Sequence, residues 1–234
     1  MPIIGMHHSP LVQKFGIPRQ PNLVQVPSHI KMLKPYDDPD AFEGLMAFSH
    51  LWIIWQTHGN REWVKFKPKV RPPRMGGNAK LGVFATRSTY RPSSLGLSVV
   101  KLEDIEVNGG VTLHLSGADM VDGTPIVDIK PYLPYSDAVS GAVSNFAPEA
   151  PMPKAVTVDP TAQADFVRLT NQGHLQPSDF GIIEALIAQD PRPAYRQHEV
   201  DVNSVMRYRK VDIEFRMLNN QTLNIKAVRL VGSS

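Results

Sequence analysis

Four arginine- and aspartate-bearing segments hold the residues whose spacing suits chemistry. Arg71-Pro72-Pro73-Arg74-Met75-Gly76-Gly77-Asn78 joins two guanidiniums to two rigidifying prolines and two glycines that let the backbone approach a ligand, which suits an anion. Arg87-Ser88-Thr89-Tyr90-Arg91-Pro92 places two more arginines four apart with hydroxyls and a phenol between them, the mixture a phosphate or ribose pocket uses. Taken alone, each loop is more often a solvated turn, and their closeness in sequence favours a shared site. Asp119-Met120-Val121-Asp122-Gly123-Thr124-Pro125 sets two carboxylates before a turn and a hydroxyl after it, suited to hydrogen-bonding a ribose or an amino group, or simply to closing the turn. In Asp190-Pro191-Arg192-Pro193-Ala194-Tyr195-Arg196, two prolines stiffen a loop carrying an acid, a phenol and two guanidiniums. Rigid placement serves catalysis and base stacking, although a linker that stops a helix has the same spacing.

What is missing narrows the chemistry. The chain has no Gly-x-x-x-x-Gly-Lys-Ser/Thr loop, no Gly-x-Gly-x-x-Gly after a strand, no Gly-x-Ser-x-Gly elbow and no His-Glu-x-x-His helix. Without cysteine there is no disulfide framework, thiol nucleophile or thiolate metal site, which fits a reducing, cytoplasmic setting. His7 and His8 are adjacent in an extended stretch, so they point to opposite faces and do not share a metal; no metal is expected. No apolar run approaches the ~20 residues of a membrane span, and residues 1–10 lack a signal-peptide pattern, so a soluble protein is expected. The net charge is only +3, with 25 Lys plus Arg against 22 Asp plus Glu, so any nucleic-acid binding must come from local patches.

The elements that must position these residues are mostly strands, because 21 prolines in 234 residues do not fit a helical chain. Extended stretches are expected at residues 3–7 and 23–26, and a short helix after Asp37-Asp38-Pro39-Asp40. Leu51-Trp52-Ile53-Ile54-Trp55 reads as a strand buried on both faces, and residues 81–85 and 125–129 as further strands. Residues 98–107 and 111–116 flank Asn108-Gly109-Gly110, the clearest hairpin signal. A boundary falls within the alanine-, proline- and serine-rich residues 136–158. Beyond it, helices open at Asp159-Pro160 and at Asp179, and strands follow at 205–208, 211–217 and 223–230. The fold class is β-dominated α+β: a strand-rich domain over about residues 1–140 and a small α+β C-terminal domain over about 150–234.

Six blocks, in order, resemble one family. They are Lys14-Phe15-Gly16-Ile17-Pro18-Arg19-Gln20-Pro21; Gly44-Leu45 through Phe48-Ser49-His50-Leu51-Trp52; Arg71-Pro72-Pro73-Arg74 with Gly76-Gly77-Asn78; Gly82-Val83-Phe84-Ala85-Thr86-Arg87-Ser88 with Arg91-Pro92; Asp122-Gly123-Thr124-Pro125 with Asp128-Ile129-Lys130-Pro131-Tyr132; and Asp190-Pro191-Arg192-Pro193-Ala194-Tyr195. Together they are similar to the TrmO (TsaA-like, YaeB) family across roughly residues 1–200. The resemblance implies a β-barrel methyltransferase that uses S-adenosyl-L-methionine (AdoMet), works as a homodimer, and methylates the exocyclic N(6) of threonylcarbamoyladenosine beside the anticodon of threonine tRNA and similar tRNAs. It also implies an AdoMet pocket lined by Arg19, Gln20, Pro21, Thr57, His58, Arg87, Leu97, Gly123, Thr124, Pro125 and Ile126, and a loop from Asp190 to Tyr195 that faces RNA. The chain departs from the family pattern in Ser93-Ser94-Leu95-Gly96 after its Arg-Pro pair, and in Thr57 before the pocket histidine.

Methyl transfer from a sulfonium is an in-line displacement, so alignment supplies most of the rate. The acceptor nitrogen is a weak nucleophile with a delocalised lone pair, so a proton acceptor helps, and Asp190, Asp128 and Tyr195 are the candidates. Arg71, Arg74, Arg91 and Arg192 are placed against phosphates or the threonyl carboxylate. Two other readings use the same residues: a non-enzymatic RNA-binding barrel, and a methyltransferase for a small anionic molecule on the same scaffold.

Overall fold

The computed structural model describes residues 1–59, 66–72, 80–144 and 147–232. The chain divides into two compact units, Met1–Ser9 with Gln20–Glu149, and Pro10–Arg19 with Ala150–Ser234.

The first unit is built on a closed six-stranded barrel, β-dominated as its prolines and short apolar runs require. Its strands are β1 (Gly5–His8), β2 (Pro27–Met32), β3 (His50–Gln56), β6 (Leu95–Glu106), β7 (Thr112–Ser116) and β8 (Thr124–Pro131), in the order β1-β2-β7-β6-β3-β8 with every neighbour antiparallel. The expected hairpin joins β6 to β7, with Gly109 and Gly110 at φ 72 and 129°. Ile30, Leu51, Ile53, Val100, Leu113 and Ile126 fill the interior without exposure.

Three strand expectations change. The run from Leu51 to Trp55 is not buried on both faces: Leu51 and Ile53 point into the core, while Trp52 and Ile54 stay half-exposed on the outer wall. A barrel has only one interior, so its strands alternate even where the outer residues are apolar. The second strand begins at Pro27 rather than spanning residues 23–26; Pro27, Ser28 and Lys31 dilute the apolar signal, yet Ser28, Ile30 and Met32 face inward at period two. The expected helix after Asp38 forms two 3-10 turns, Pro39–Phe42 and Leu45–Ala47, the first capped by the Asp38 side chain. Between β3 and β6 lies a two-stranded ribbon, β4 (Lys69–Val70) with β5 (Leu81–Gly82); Val83–Ala85, expected as strand, is a 3-10 turn.

The second unit has a four-stranded sheet ordered β10 (Ser204–Tyr208), β11 (Val211–Asn219), β12 (Thr222–Leu230) and β9 (Ala155–Val158). β9 pairs parallel to β12 and falls inside the stretch read from sequence as linker. Helices α1 (Pro160–Asn171) and α2 (Asp179–Ala188) follow the expected apolar spacing, burying Ala162, Phe166 and Leu169 and then Ile183, Leu186 and Ile187. The arm Pro10–Arg19 joins this unit: Phe15 stacks on Phe215 at 6.3 Å, and a Cβ at Gly16 would stand 2.5 Å from Met206 Cγ. Only glycine permits that approach, at φ 99°.

Candidate functional site

Strand register gathers most of the expected cofactor residues of the first unit at one end of the barrel. There β3 ends and β6 and β8 begin, with Gln56 opposite Leu95, Ile54 opposite Leu97, and Trp55 opposite Ile126. The Thr57 amide and hydroxyl both donate to the Ser94 carbonyl, at 2.8 and 3.2 Å, leaving His58 exposed just beyond. Leu97 is 48% exposed on the outer wall, in a row with Ile54 and Asp128. Neighbouring strands are about 4.8 Å apart, so Asp128 lies roughly 10 Å from Leu97 on the same face. Its Oδ1 accepts from the Ile129 amide and its Oδ2 lies 4.0 Å from Lys130 Nζ.

The turn before β8 offers a ligand mainly backbone. Gly123 donates to the His7 carbonyl at φ 74° with open space where a Cβ would stand, whereas Thr124 is buried with its hydroxyl on the Val121 carbonyl, and Ile126 points into the core. Pro125 remains half-buried between them. Gln20 and Pro21 reach this end because Asn22 fastens the segment: its amide donates to Gly117 O at 2.8 Å and its side chain to Val99 O at 2.9 Å. Arg19 belongs to the second unit, where its guanidinium donates to the carbonyls of Arg192 (3.0 Å) and Asp190 (3.4 Å).

The cations differ in what they have left to offer. Arg71 and Arg87 are exposed. Arg91 is half-buried and turned inward on its own loop, donating to the carbonyls of Thr86 (2.6 Å) and Val83 (3.3 Å) and lying 5.7 Å above the Phe84 ring. Arg74, with Gly76-Gly77-Asn78, lies outside the described residues.

Asp190 and Arg192 form a buried knot in the second unit, each 2% exposed. Arg192 grips Asp190 through Nε–Oδ1 (2.8 Å) and Nη2–Oδ2 (3.0 Å), and Lys154 Nζ adds a contact to Oδ2 at 2.9 Å. Arg192 also donates to the carbonyls of Glu199 and Gln197, and the Gln197 amide donates to those of Asp190 and Arg192. Burial pushes the Asp190 carboxyl up, but hydrogen bonds and charge from Arg192 and Lys154 outweigh it and hold the carboxyl below its ordinary value. Asp190 itself sits at φ 46°, a left-handed conformation that the knot sustains. Tyr195, five residues on, is 64% exposed.

Two family models match in the order of the units: the tRNA-methyltransferase O N-terminal domain over residues 6–138 and the TrmO C-terminal domain over 151–230. The chain belongs to the TrmO family. It is 45% identical to the tRNA (adenine(37)-N6)-methyltransferase of Escherichia coli K12 over 84% of this chain and 83% of that protein. A putative S-adenosylmethionine-dependent methyltransferase of Pseudomonas aeruginosa is likewise 45% identical, over 84% and 83%. A crystal structure of TrmO from Pseudomonas aeruginosa superposes with a TM-score of 0.79 at 33% identity, covering 97% of this chain and 95% of that one.

In this TrmO-family barrel the buried polar contacts at the same end have no mark in the sequence. Trp55 Nε1 donates to Ser98 Oγ (3.0 Å), which donates to Asp119 Oδ1 (2.5 Å), tying β3, β6 and the loop before β8 together. Burial pushes the Asp119 carboxyl up, opposed by Ser98 and by the charge of Arg87. His7 is fully buried, its Nδ1–H donates to Val121 O, and burial lowers its pKa to about 4, leaving a neutral ring whose Nε2 has no partner. Gln20 Oε1 is also buried without a partner. Such an orphaned acceptor beside an open glycine turn fits a ligand bearing amino donors, as AdoMet does. Spacing alone had no means of showing these contacts, because they form only through barrel closure.

Proposed function

We propose that this chain is an AdoMet-dependent tRNA (adenine-N6)-methyltransferase acting on the adenosine at position 37, beside the anticodon, and that its preferred acceptor carries the threonylcarbamoyl group. The observation that carries this reading is the convergence, at one barrel end, of Gln20, Pro21, Thr57, His58, Leu97 and the turn at Gly123 and Pro125 in a TrmO-family chain, with the charge of Arg87 reaching the Asp119 carboxyl there. AdoMet supplies an electrophilic methyl group when bound. The residues of this chain hold it, exclude water and receive the acceptor base, so most of the rate comes from alignment.

Asp128 and the Tyr195 phenol are the groups we assign to proton removal from the acceptor nitrogen. Asp128 lies on the same outer face as Leu97, and Tyr195 is exposed on a loop stiffened by Pro191 and Pro193. Asp190 serves by bracing that loop: its acceptor oxygens are occupied by Arg192 and Lys154, and a carboxyl held below its ordinary value is a weak base. Arg192 is the other half of that brace. Arg71 and Arg74 meet the anionic substrate, and the enzyme acts in the cytoplasm as a homodimer.

Nucleoside mass spectrometry on threonine tRNA bearing threonylcarbamoyladenosine, with and without AdoMet, tests the reading. A gain of one methyl on that nucleoside only with AdoMet is the expected result. Absence of any methylated nucleoside, despite demonstrable AdoMet binding, would overturn it.

A further inference from the structure

We propose that the ribbon between β3 and β6 is an RNA-docking arm whose stacked rings, Phe66 and Phe84, receive an unpaired base of the tRNA; this rests on the tRNA reading above. Three observations carry it. The first is charge: between Glu62 and the start of β6 at Leu95 the sequence has eight lysines and arginines and no aspartate or glutamate. The whole chain is only +3, so this one insertion carries the positive charge and the remainder is net negative. Lys67, Lys69, Arg71, Lys80 and Arg87 of this stretch are exposed.

The second is the aromatic pair. Phe66 and Phe84 are 54% and 70% exposed, yet their rings stack at 6.3 Å with 27° between planes. A solvated protein gains little by holding two phenylalanines face to face in water, whereas a flat apolar step among cations is what an unstacked base needs. The step is braced: Val83 is buried, its amide donates to the Pro68 carbonyl, and Arg91 ties the turn through the Val83 and Thr86 carbonyls, with its guanidinium against the Phe84 ring. Arg91 is thus a positioning residue for Phe84.

The third is location. The ribbon leaves the barrel after Thr57 and returns before Leu95, and the Thr57 amide donates to Ser94 O at its root. It is therefore rooted at the barrel end where the cofactor residues gather. Charge complementarity and the stacking step favour a single-stranded RNA segment as occupant over a second copy of the chain, whose matching ribbon would carry the same positive charge.

The test measures affinity of the full-length protein for a fluorescently labelled anticodon stem-loop RNA across a salt series. In parallel, AdoMet affinity is followed by calorimetry and molecular mass by light scattering. A Phe66→Ala, Phe84→Ala variant should weaken RNA binding about tenfold or more, with AdoMet affinity and mass unchanged. Its salt slope should match the parent, because no phosphate contact is lost, whereas Lys69→Ala should flatten the slope. A Phe66→Trp, Phe84→Trp variant, which keeps the step, should retain affinity. RNA affinity within twofold of the parent in the alanine variant overturns the proposal, as does a loss that accompanies a fall in mass, which would make the patch a self-interface. Parallel loss of AdoMet affinity also overturns it. Failure of the parent protein to bind RNA would instead strike the tRNA reading itself.

Discussion

Replacing Asp190 with asparagine separates a brace from a base. The substitution removes the charge that faces Arg192 at 2.8 and 3.0 Å and Lys154 at 2.9 Å, and turns an amide donor toward donors. Both members of the pair are 2% exposed, so water does not take over, and breaking one partner of such a pair costs about 3–5 kcal/mol. Against a domain stability of roughly 5–15 kcal/mol that is a large fraction. Denaturant unfolding of the full chain, followed by circular dichroism, should show about 3 kcal/mol lost at neutral pH. Arg192→Met should lose a similar amount, and the double variant less than the sum. The pH dependence has a definite sign: a carboxyl lowered on folding stabilises above its unfolded pKa of about 3.9, and that contribution is lost as pH falls through the lower folded value. The gap between parent and Asp190→Asn should therefore close only in strong acid. Single-turnover methyl transfer at saturating tRNA should stay within about threefold of the parent, because a brace acts on folding and binding rather than on the proton. The reasoning is refuted if stability changes by less than about 1 kcal/mol while that rate falls about a hundredfold, the size of effect expected on losing a general base.

Further outcomes follow from the barrel. Burial lowers the His7 pKa from 6.5 to about 4, so the unfolded chain takes up the proton first as pH falls. Stability present above pH 6.5 is lost between 6.5 and 4, by about 3 kcal/mol in total, and His7→Phe should flatten that limb of an acid titration monitored by denaturant midpoint. At Gly96 an added Cβ would stand 2.1 Å from Trp55 Cε2, so Gly96→Ala must displace the indole from Ser98; we expect about 2–3 kcal/mol of destabilisation with a changed tryptophan emission. Gln20→Leu should weaken AdoMet binding about tenfold by calorimetry while leaving the unfolding midpoint unchanged or raised, since it removes a buried orphan acceptor. Asp128→Asn should lower the single-turnover rate about a hundredfold with AdoMet affinity intact; an unaltered rate would remove Asp128 from the chemistry.

Much of this protein was written in local pattern. The Asn108-Gly109-Gly110 hairpin, the helices opened by Asp159-Pro160 and at Asp179, and the three C-terminal strands follow from turn residues, caps and apolar period, which act over a few neighbours. The blocks that mark the family were likewise legible, because short ordered motifs survive in a linear string. What tertiary structure decided is everything that depends on closure. The run at Leu51 reads as doubly buried until a barrel gives it one interior face, and β9 has no signal of its own until β12 supplies a parallel partner. The roles of the polar residues were set in the same way. Asp190 and Arg192, read as acid and phosphate grip, face each other in a dry knot, while Asp119, read as a ligand or turn carboxylate, meets Ser98 and Trp55 across strands. Spacing determines which residues are neighbours along an element; burial and partners, which fix charge state and reach, are properties of the packed chain.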